Sequence, residues 1–250
     1  MEKKTVPDIT HMSEEELYRL NIYHTLDIKY CEKQLRSLYG RVNEDQDRLI
    51  ISNVYGKRVL DVGAGYGTLS RRLKEAGLDV TSIEPNSHSR ELAKKWNDVD
   101  ELPFGIFETP FEDNYFDTVI LRECVEHLDF IATLQELKRI CKGRVLIFQT
   151  NLNPIISVAR KRIEHEEFNP QTLRYYKEKL DEFGFSKQKI IYRDTLAFPL
   201  SGGYLADQMV PRNSSIEHAV LKIDRAFTKL CQVTGLASYC CWRYLLISDK

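Results

Sequence analysis

The chain has 250 residues, and its 36 Lys and Arg against 37 Asp and Glu leave a formal net charge of −1. That balance supplies no overall field for nucleic acid or an anionic membrane, and a hydrophobic content of 42% suits one α/β domain with additions. The polar start "MEKKTVPDITHMSEEE", the lack of a bilayer-length apolar run and six cysteines without C-x-x-C spacing predict a reduced, cytoplasmic setting with no membrane partner.

Residues 1–45, with Tyr18, Tyr23, Tyr30 and Tyr39, read as an appended helical cap, and residues 46–250 as the main domain. "RVLDVG" (58–63) is a buried strand, followed by a helix from Thr68 to Glu75 that Gly77 closes. "DVTSIEP" (79–85) is a second strand, and Ser87 is placed to cap the helix behind it. "FDTVILREC" (116–124) and "GRVLIFQTN" (143–151) are further strands, separated by the amphipathic "FIATLQELKRIC" (130–141). This alternation predicts a doubly wound parallel sheet with helices on both faces. Right-handed crossovers then gather the strand C-terminal ends along one edge, where ligands of such sheets bind.

Further on, "NPQTLRYYKEKLDEFGF" (169–185) is a helix opened by Asn169-Pro170 and ended by Gly184, and "SKQKIIYRD" is a strand after it. Residues 193–235 form an insertion: an irregular stretch, then a helix whose Ile216, Val220, Ile223, Phe227 and Leu230 share one face. A lid or binding wall is expected there, with a contact between copies in a homo-oligomer as the alternative. "YCCWRYLLIS" (239–248) is the last strand.

"VLDVGAGYGTLS" (59–70) places Asp61, Gly63, Gly65 and Gly67 between the first strand and its helix. Three glycines in five positions mark a backbone that something approaches closely. A phosphate loop requires Lys and then Ser or Thr after the last glycine, but Thr68 and Leu69 follow Gly67. A dinucleotide fingerprint requires Gly or Ala where Thr68 stands, and Asp61 sits poorly beside a pyrophosphate. S-adenosylmethionine fits better, because its sulfonium and α-amino groups are cationic and it has no phosphate. Asp61 can face the amino group, and Glu84, ending the second strand, can accept hydrogen bonds from both ribose hydroxyls.

Together, "VLDVGAGYGTL", "VTSIEPN", "FETPFEDNYFDTVILRECVEHL" and "RVLIFQTNLNP" resemble the class I S-adenosylmethionine-dependent methyltransferases over roughly residues 45–190. They look most like the large small-molecule group that includes the ubiquinone-pathway O-methyltransferases. The resemblance implies a Rossmann-like, seven-stranded sheet with the last strand antiparallel. It also implies that Asp61, Gly63, Ala64 and Gly65 hold the methionine portion, that Glu84 and Pro85 serve the ribose, and that Leu121, Arg122 and Glu123 line the cofactor. S-adenosylhomocysteine would be the product. The family's acidic residue before an "LPF-like" segment has no clear equivalent in "FGIFETPFEDNYFD"; Phe107 and Glu108 are the candidates for the adenine edge.

"RECVEHL" adds Glu123, Glu126 and His127 after the third strand, and "EHEEFNPQTL" adds His165. Either His127 or His165 can act as a base toward a methyl acceptor. The order also resembles that of the RNA terminal 2′-O-methyltransferases, which bind a divalent metal through E-x-x-E-H and a later His. The expected function is methyl transfer to a small molecule, at oxygen, without metal. The alternatives are a metal-dependent RNA 2′-O-methyltransferase, which the neutral charge disfavours, and a non-catalytic S-adenosylmethionine-binding protein.

Overall fold

The computed structural model describes residues 38–107, 109–152, 171–201 and 213–250. Strands β1 (Arg58–Val62), β2 (Asp79–Ile83), β3 (Phe116–Arg122), β4 (Cys141–Thr150), β5 (Lys187–Arg193) and β6 (Arg243–Asp249) form one sheet, ordered β2-β1-β3-β4-β6-β5. The first four pair in parallel, and β6 runs antiparallel to both β4 and β5. Around them lie α1 (Leu38–Ser52), α2 (Thr68–Glu75), α3 (Ser87–Asn97), α4 (Phe130–Ile140), α5 (Leu173–Glu182), α6 (Ser214–Val233) and the short α7 (Ala237–Cys240).

Alternation along the strands divides the core in two. Leu60, Val119, Leu121, Val145 and Ile147 pack on one face with Leu134, Leu137 and Ile140 of α4 and Tyr176 and Leu180 of α5. Val59, Ile120, Leu146 and Phe148 pack on the other with Ile50 of α1 and Leu69 and Leu73 of α2. Each central strand is buried on both faces and so reads as a continuous apolar run.

The expected seventh strand is reduced, among the described residues, to one parallel bridge, Ile83 to Leu102. Leu102 exchanges backbone bonds with β2: its amide donates to Ser82 at 2.9 Å, and its carbonyl accepts from Glu84 at 3.0 Å. The ladder stops there for two reasons. The next donor, the Phe104 amide, turns back to Leu102 at 3.0 Å, and the Glu84 carbonyl is taken by the Arg90 guanidinium at 2.7 Å.

Several boundaries shift because a different residue caps the helix. Asn86, not Ser87, caps α3, accepting from the Ser89 amide at 3.0 Å. Thr172 caps α5, accepting from the Tyr175 amide; Asn169 and Pro170 lie outside the described residues. The last strand begins at Arg243 because residues 237–240 form α7 instead. Helix α1 runs unbroken across the expected boundary at residue 45.

In α6 the apolar face stands in the opposite sense to a core helix. Ile216, Ile223, Phe227 and Leu230 are exposed, while Glu217, Leu221, Asp224, Thr228 and Cys231 are buried. The buried polar groups have partners. Arg41 of α1 pairs with Glu217 at 2.7 Å, and Asp224 accepts from the amides of Thr195, Leu196 and Ala197 at 2.6–2.9 Å. The junction therefore combines these polar contacts with the packing of Val220 and Leu221 against Leu38, Val42 and Phe198, and most of the apolar face is left outward.

Candidate active site

The C-terminal ends of β1, β2 and β3 lie side by side, and the glycine turn after β1 closes over them. Gly63, Gly65 and Gly67 all have positive φ, 64°, 63° and 72°, a region that costs a side chain. Their surroundings differ. A Cβ on Gly63 would meet Cys124 Cβ at 3.1 Å, and one on Gly67 would meet Val99 Cβ at 3.0 Å, so these two are held by packing. A Cβ on Gly65 would meet nothing within 4 Å. Gly65 thus borders open space that a ligand at the turn could occupy.

That space is a cavity of about 350 Å³ lined by Asp61, the turn residues Gly63–Tyr66, Thr68 and Leu69 of α2, and Arg122 and Glu123 after β3. Tyr39, Asn43 and Gln46 of α1 and Arg243 of β6 complete the wall. Helix α2 begins at Gly67 with no side-chain cap, so its first amides are open to an anionic group.

Asp61 ends β1 fully buried, and Ser70 Oγ donates to its Oδ2 at 2.6 Å, itself receiving the Ser82 hydroxyl at 2.7 Å. Burial pushes its carboxyl up to about 6, and the Ser70 hydrogen bond and Arg122 oppose that rise. Removing water disfavours the charged form unless a cation arrives. Glu84 directly follows β2, and each of its oxygens accepts one backbone bond: Gly65 N–H at 3.1 Å to Oε2 and Asn86 N–H at 2.9 Å to Oε1. A carboxylate has room for about four such bonds, so two positions remain for hydroxyl donors. The turn is braced from behind, because Asn97 Nδ2 donates to the Tyr66 carbonyl at 2.6 Å.

Arg122 does not project freely into the cavity. It pairs with the fully buried Asp47 of α1 and donates to Asn43 and Gln46, both at 3.1 Å. Asp47 also pairs with Arg72 of α2. Glu123 adopts a positive φ of 52°, a strained conformation for a non-glycine residue, and its Oε2 lies 3.2 Å from Arg243. Its Oε1 is buried without a hydrogen-bond partner, which leaves an acceptor for a ligand group.

The structure therefore brings Asp61, Gly63, Ala64, Gly65, Arg122 and Glu123 to one cavity, with Glu84 behind the turn. Leu121 is not on that wall; it is fully buried in the core. Pro85 and Phe107 are exposed, and Glu108 and His165 lie outside the described residues. His127 sits on a single 3₁₀ turn, Val125–His127, with its side chain 71% exposed and its Nε2 3.7 Å from Glu126. Among the described residues, no group of three or more His, Cys, Asp and Glu side chains is arranged to hold a metal ion.

Sequence reasoning missed Tyr39, Asn43, Gln46 and Arg243. The polar run "NEDQ" (43–46) inside an otherwise amphipathic helix was a signal for the α1 residues; Arg243 carries none. It also missed Glu101, which opens the "ELPF" of residues 101–104. Its carboxyl oxygens are buried without partners, and burial with the charges of Asp61 and Glu84 pushes it up to about 8.

A family model described as a methyltransferase domain matches residues 60–148, the stretch from β1 to β4. A ubiquinone biosynthesis O-methyltransferase from Actinobacillus pleuropneumoniae is 30% identical over 113 residues, 41% of this chain and 48% of that protein. The chain thus spans about half the length of the curated relatives it matches. Among solved structures, a SAM-dependent methyltransferase from Archaeoglobus fulgidus superposes with a TM-score of 0.61 at 20% identity, covering 84% of this chain and 94% of that one. The geranyl diphosphate C-methyltransferase of Streptomyces coelicolor, solved with Mg²⁺, geranyl diphosphate and S-adenosyl-L-homocysteine, gives 0.58 at 16% identity, covering 84% and 79%. The matched segment holds the glycine turn, Asp61, Glu84 and the β3 end, so residues 60–148 match a methyltransferase domain, and the solved structures share the fold.

Proposed function

We propose that this protein transfers a methyl group from S-adenosylmethionine to the oxygen of a small molecule. The observation that carries the reading is the open space at Gly65, lined by the buried Asp61 and backed by Glu84, whose carboxylate holds the turn from behind through the Gly65 amide. Bound there, S-adenosylmethionine supplies an electrophilic methyl on a sulfonium. Asp61 binds the α-amino group, the open α2 amides receive the carboxylate, and Glu84 takes the ribose hydroxyls. Oxygen as the target is supported by the name of the ubiquinone-pathway relative.

Transfer is an in-line displacement, so the chain's main task is to orient the acceptor. The wall supplied by α1 and Arg243 stands over the cavity and suits that task. His127 and His165 are the proposed bases; the exposure of His127, four residues after Glu123, leaves its imidazole accessible to an acceptor. The test is calorimetric titration of S-adenosylhomocysteine, paired with transfer of labelled methyl to a panel of phenols, carboxylates and amines. Gly65→Val strains a left-handed backbone position and fills the open space at the turn, so it should lose cofactor binding, with circular dichroism to confirm that the variant folds. Retained binding in that variant would exclude the turn as the site.

A further inference from the structure

The outward face of α6 has a regularity beyond amphipathicity. Ile216, Ile223 and Leu230 are spaced by seven, and Ala219, Ala226 and Val233 repeat by seven three positions later. This is an a/d heptad seam, the pattern of one helix meeting another with period 3.5. All six residues are exposed, and Ile216, Ile223, Leu230 and Val233 are each more than half exposed. Helix α6 meets the body instead through its Glu217, Leu221, Asp224, Thr228 and Cys231 positions.

We infer that this seam is the interface of a homodimer in which α6 packs antiparallel against α6 of a second copy. The order of large and small side chains selects that occupant and that direction. Reversing the sequence about a two-fold axis level with Asp224 and Arg225 sets Ile216 against the partner's Val233, Ala219 against the partner's Leu230, and Ile223 against the partner's Ala226. Each alanine meets a large side chain, so the face is complementary to itself, as an isologous interface requires. A parallel pair would set alanine against alanine and leave gaps, which forfeit contact. Phe227 extends the apolar contact along one flank, and Leu236, also exposed, continues it past the helix end. The other flank carries Lys222 and Lys229, and in the antiparallel pair Lys222 faces the partner's Lys229. The dimer also reaches the candidate site, because Arg41 and Asp45 of α1 pair with Glu217 and Arg225 of α6.

Sedimentation equilibrium on the full chain tests this, with circular dichroism to confirm folding of each variant. The wild type should be dimeric at micromolar concentration and tighten as salt screens the lysines. Ile223→Glu, at an exposed position, should be monomeric and folded. Lys222→Glu should tighten the dimer roughly three- to tenfold at low salt, by creating two Glu–Lys pairs in place of two repulsions. Lys222→Glu with Lys229→Glu should return it to wild-type affinity. A monomeric wild type would overturn the inference, and protection of Ile223→Cys from alkylation in that monomer would assign the face to this chain's own segments. A dimer indifferent to Ile223→Glu would place the interface elsewhere, and one that Lys222→Glu leaves unchanged would exclude the antiparallel pairing.

Discussion

The Gly65 amide donates to Glu84 Oε2 at 3.1 Å, tying the middle of the glycine turn to the end of the neighbouring strand. The bond ties the shape of the turn to the group that would grip the ribose. Glu84→Ala should therefore weaken S-adenosylmethionine binding by about 2 kcal/mol, through lost charge-assisted bonds and a looser turn. Glu84→Gln separates the two effects, since an amide oxygen can still accept from Gly65 while the charge is gone. Calorimetry should place it between wild type and Glu84→Ala. Unchanged affinity in both variants would refute the ribose assignment.

Asp61 carries a pH dependence whose sign is fixed by burial. Its carboxyl stands at about 6 in the folded protein against 3.8 ordinarily. Between those values the folded state holds more proton than the unfolded state, so this group makes stability fall as pH rises from about 4 to about 6. Asp61→Asn should remove that cost and stabilise the ligand-free protein at neutral pH by up to about 3 kcal/mol. The same variant should lose cofactor affinity, because the buried charge is what meets the α-amino group. In the wild type, affinity should drop by up to about tenfold per unit below pH 6 and level off above it. Denaturant melts and titrations across pH 5–7 measure both slopes; a flat binding profile would detach Asp61 from the amino group.

Much of this was legible in the sequence for a simple reason. From β1 to β4 the chain alternates short apolar runs with amphipathic stretches, and each boundary is set by local chemistry: the residues of α2, Thr68 to Glu75, emerge as predicted. Asp61 and Glu84 were readable because they end predicted strands whose register in a parallel sheet is fixed. The missed residues depend on contacts distant in sequence. Arg122 was expected at the cavity and lines it, but the sequence did not show that Asp47, 75 positions earlier, holds its guanidinium. The seventh strand stopped at one bridge because the Phe104 amide turned back on its own chain and Arg90 took the Glu84 carbonyl. In α6 the pattern correctly put five apolar residues on one face, but period alone does not say whether that face turns inward.

Asp47 joins three elements, pairing α1 with Arg72 of α2 and Arg122 of β3. It is fully buried, so Asp47→Ala leaves two guanidinium groups without their anion in a low-dielectric setting. We expect a loss of about 3–5 kcal/mol in urea unfolding. Arg72→Met should cost less than the loss of Asp47, since Arg122 still neutralises the carboxylate. Because α1 also carries Tyr39, Asn43 and Gln46 of the cavity wall, Asp47→Ala should impair acceptor turnover more than cofactor affinity. Equal stability of wild type and Asp47→Ala would show that the wall is held by other contacts.

The proposed base makes the last prediction. His127 follows Glu123 by four residues, on the 3₁₀ turn at the open edge of the sheet, and its imidazole is solvent-accessible rather than locked by a hydrogen-bond network. An accessible imidazole can take a proton from an acceptor hydroxyl that docks over the cavity, but it cannot be held rigidly as a metal ligand by Glu126 alone, 3.7 Å away. If it is the base, His127→Ala should lower kcat roughly 10²–10⁴-fold while leaving S-adenosylhomocysteine affinity and the melting temperature unchanged. The loss should appear in kcat at saturating S-adenosylmethionine, whereas loss of a merely structural contact would show in the melting temperature instead. Chelators should leave both activity and fold intact. A divalent ion bound through Glu123 and Glu126 makes the opposite forecast: chelation would abolish activity reversibly, and Glu123→Ala would mimic it, because a hard cation depends on its oxygen ligands. A wild-type rate in His127→Ala would move the proton transfer to His165, for which the matching substitution gives the same decision.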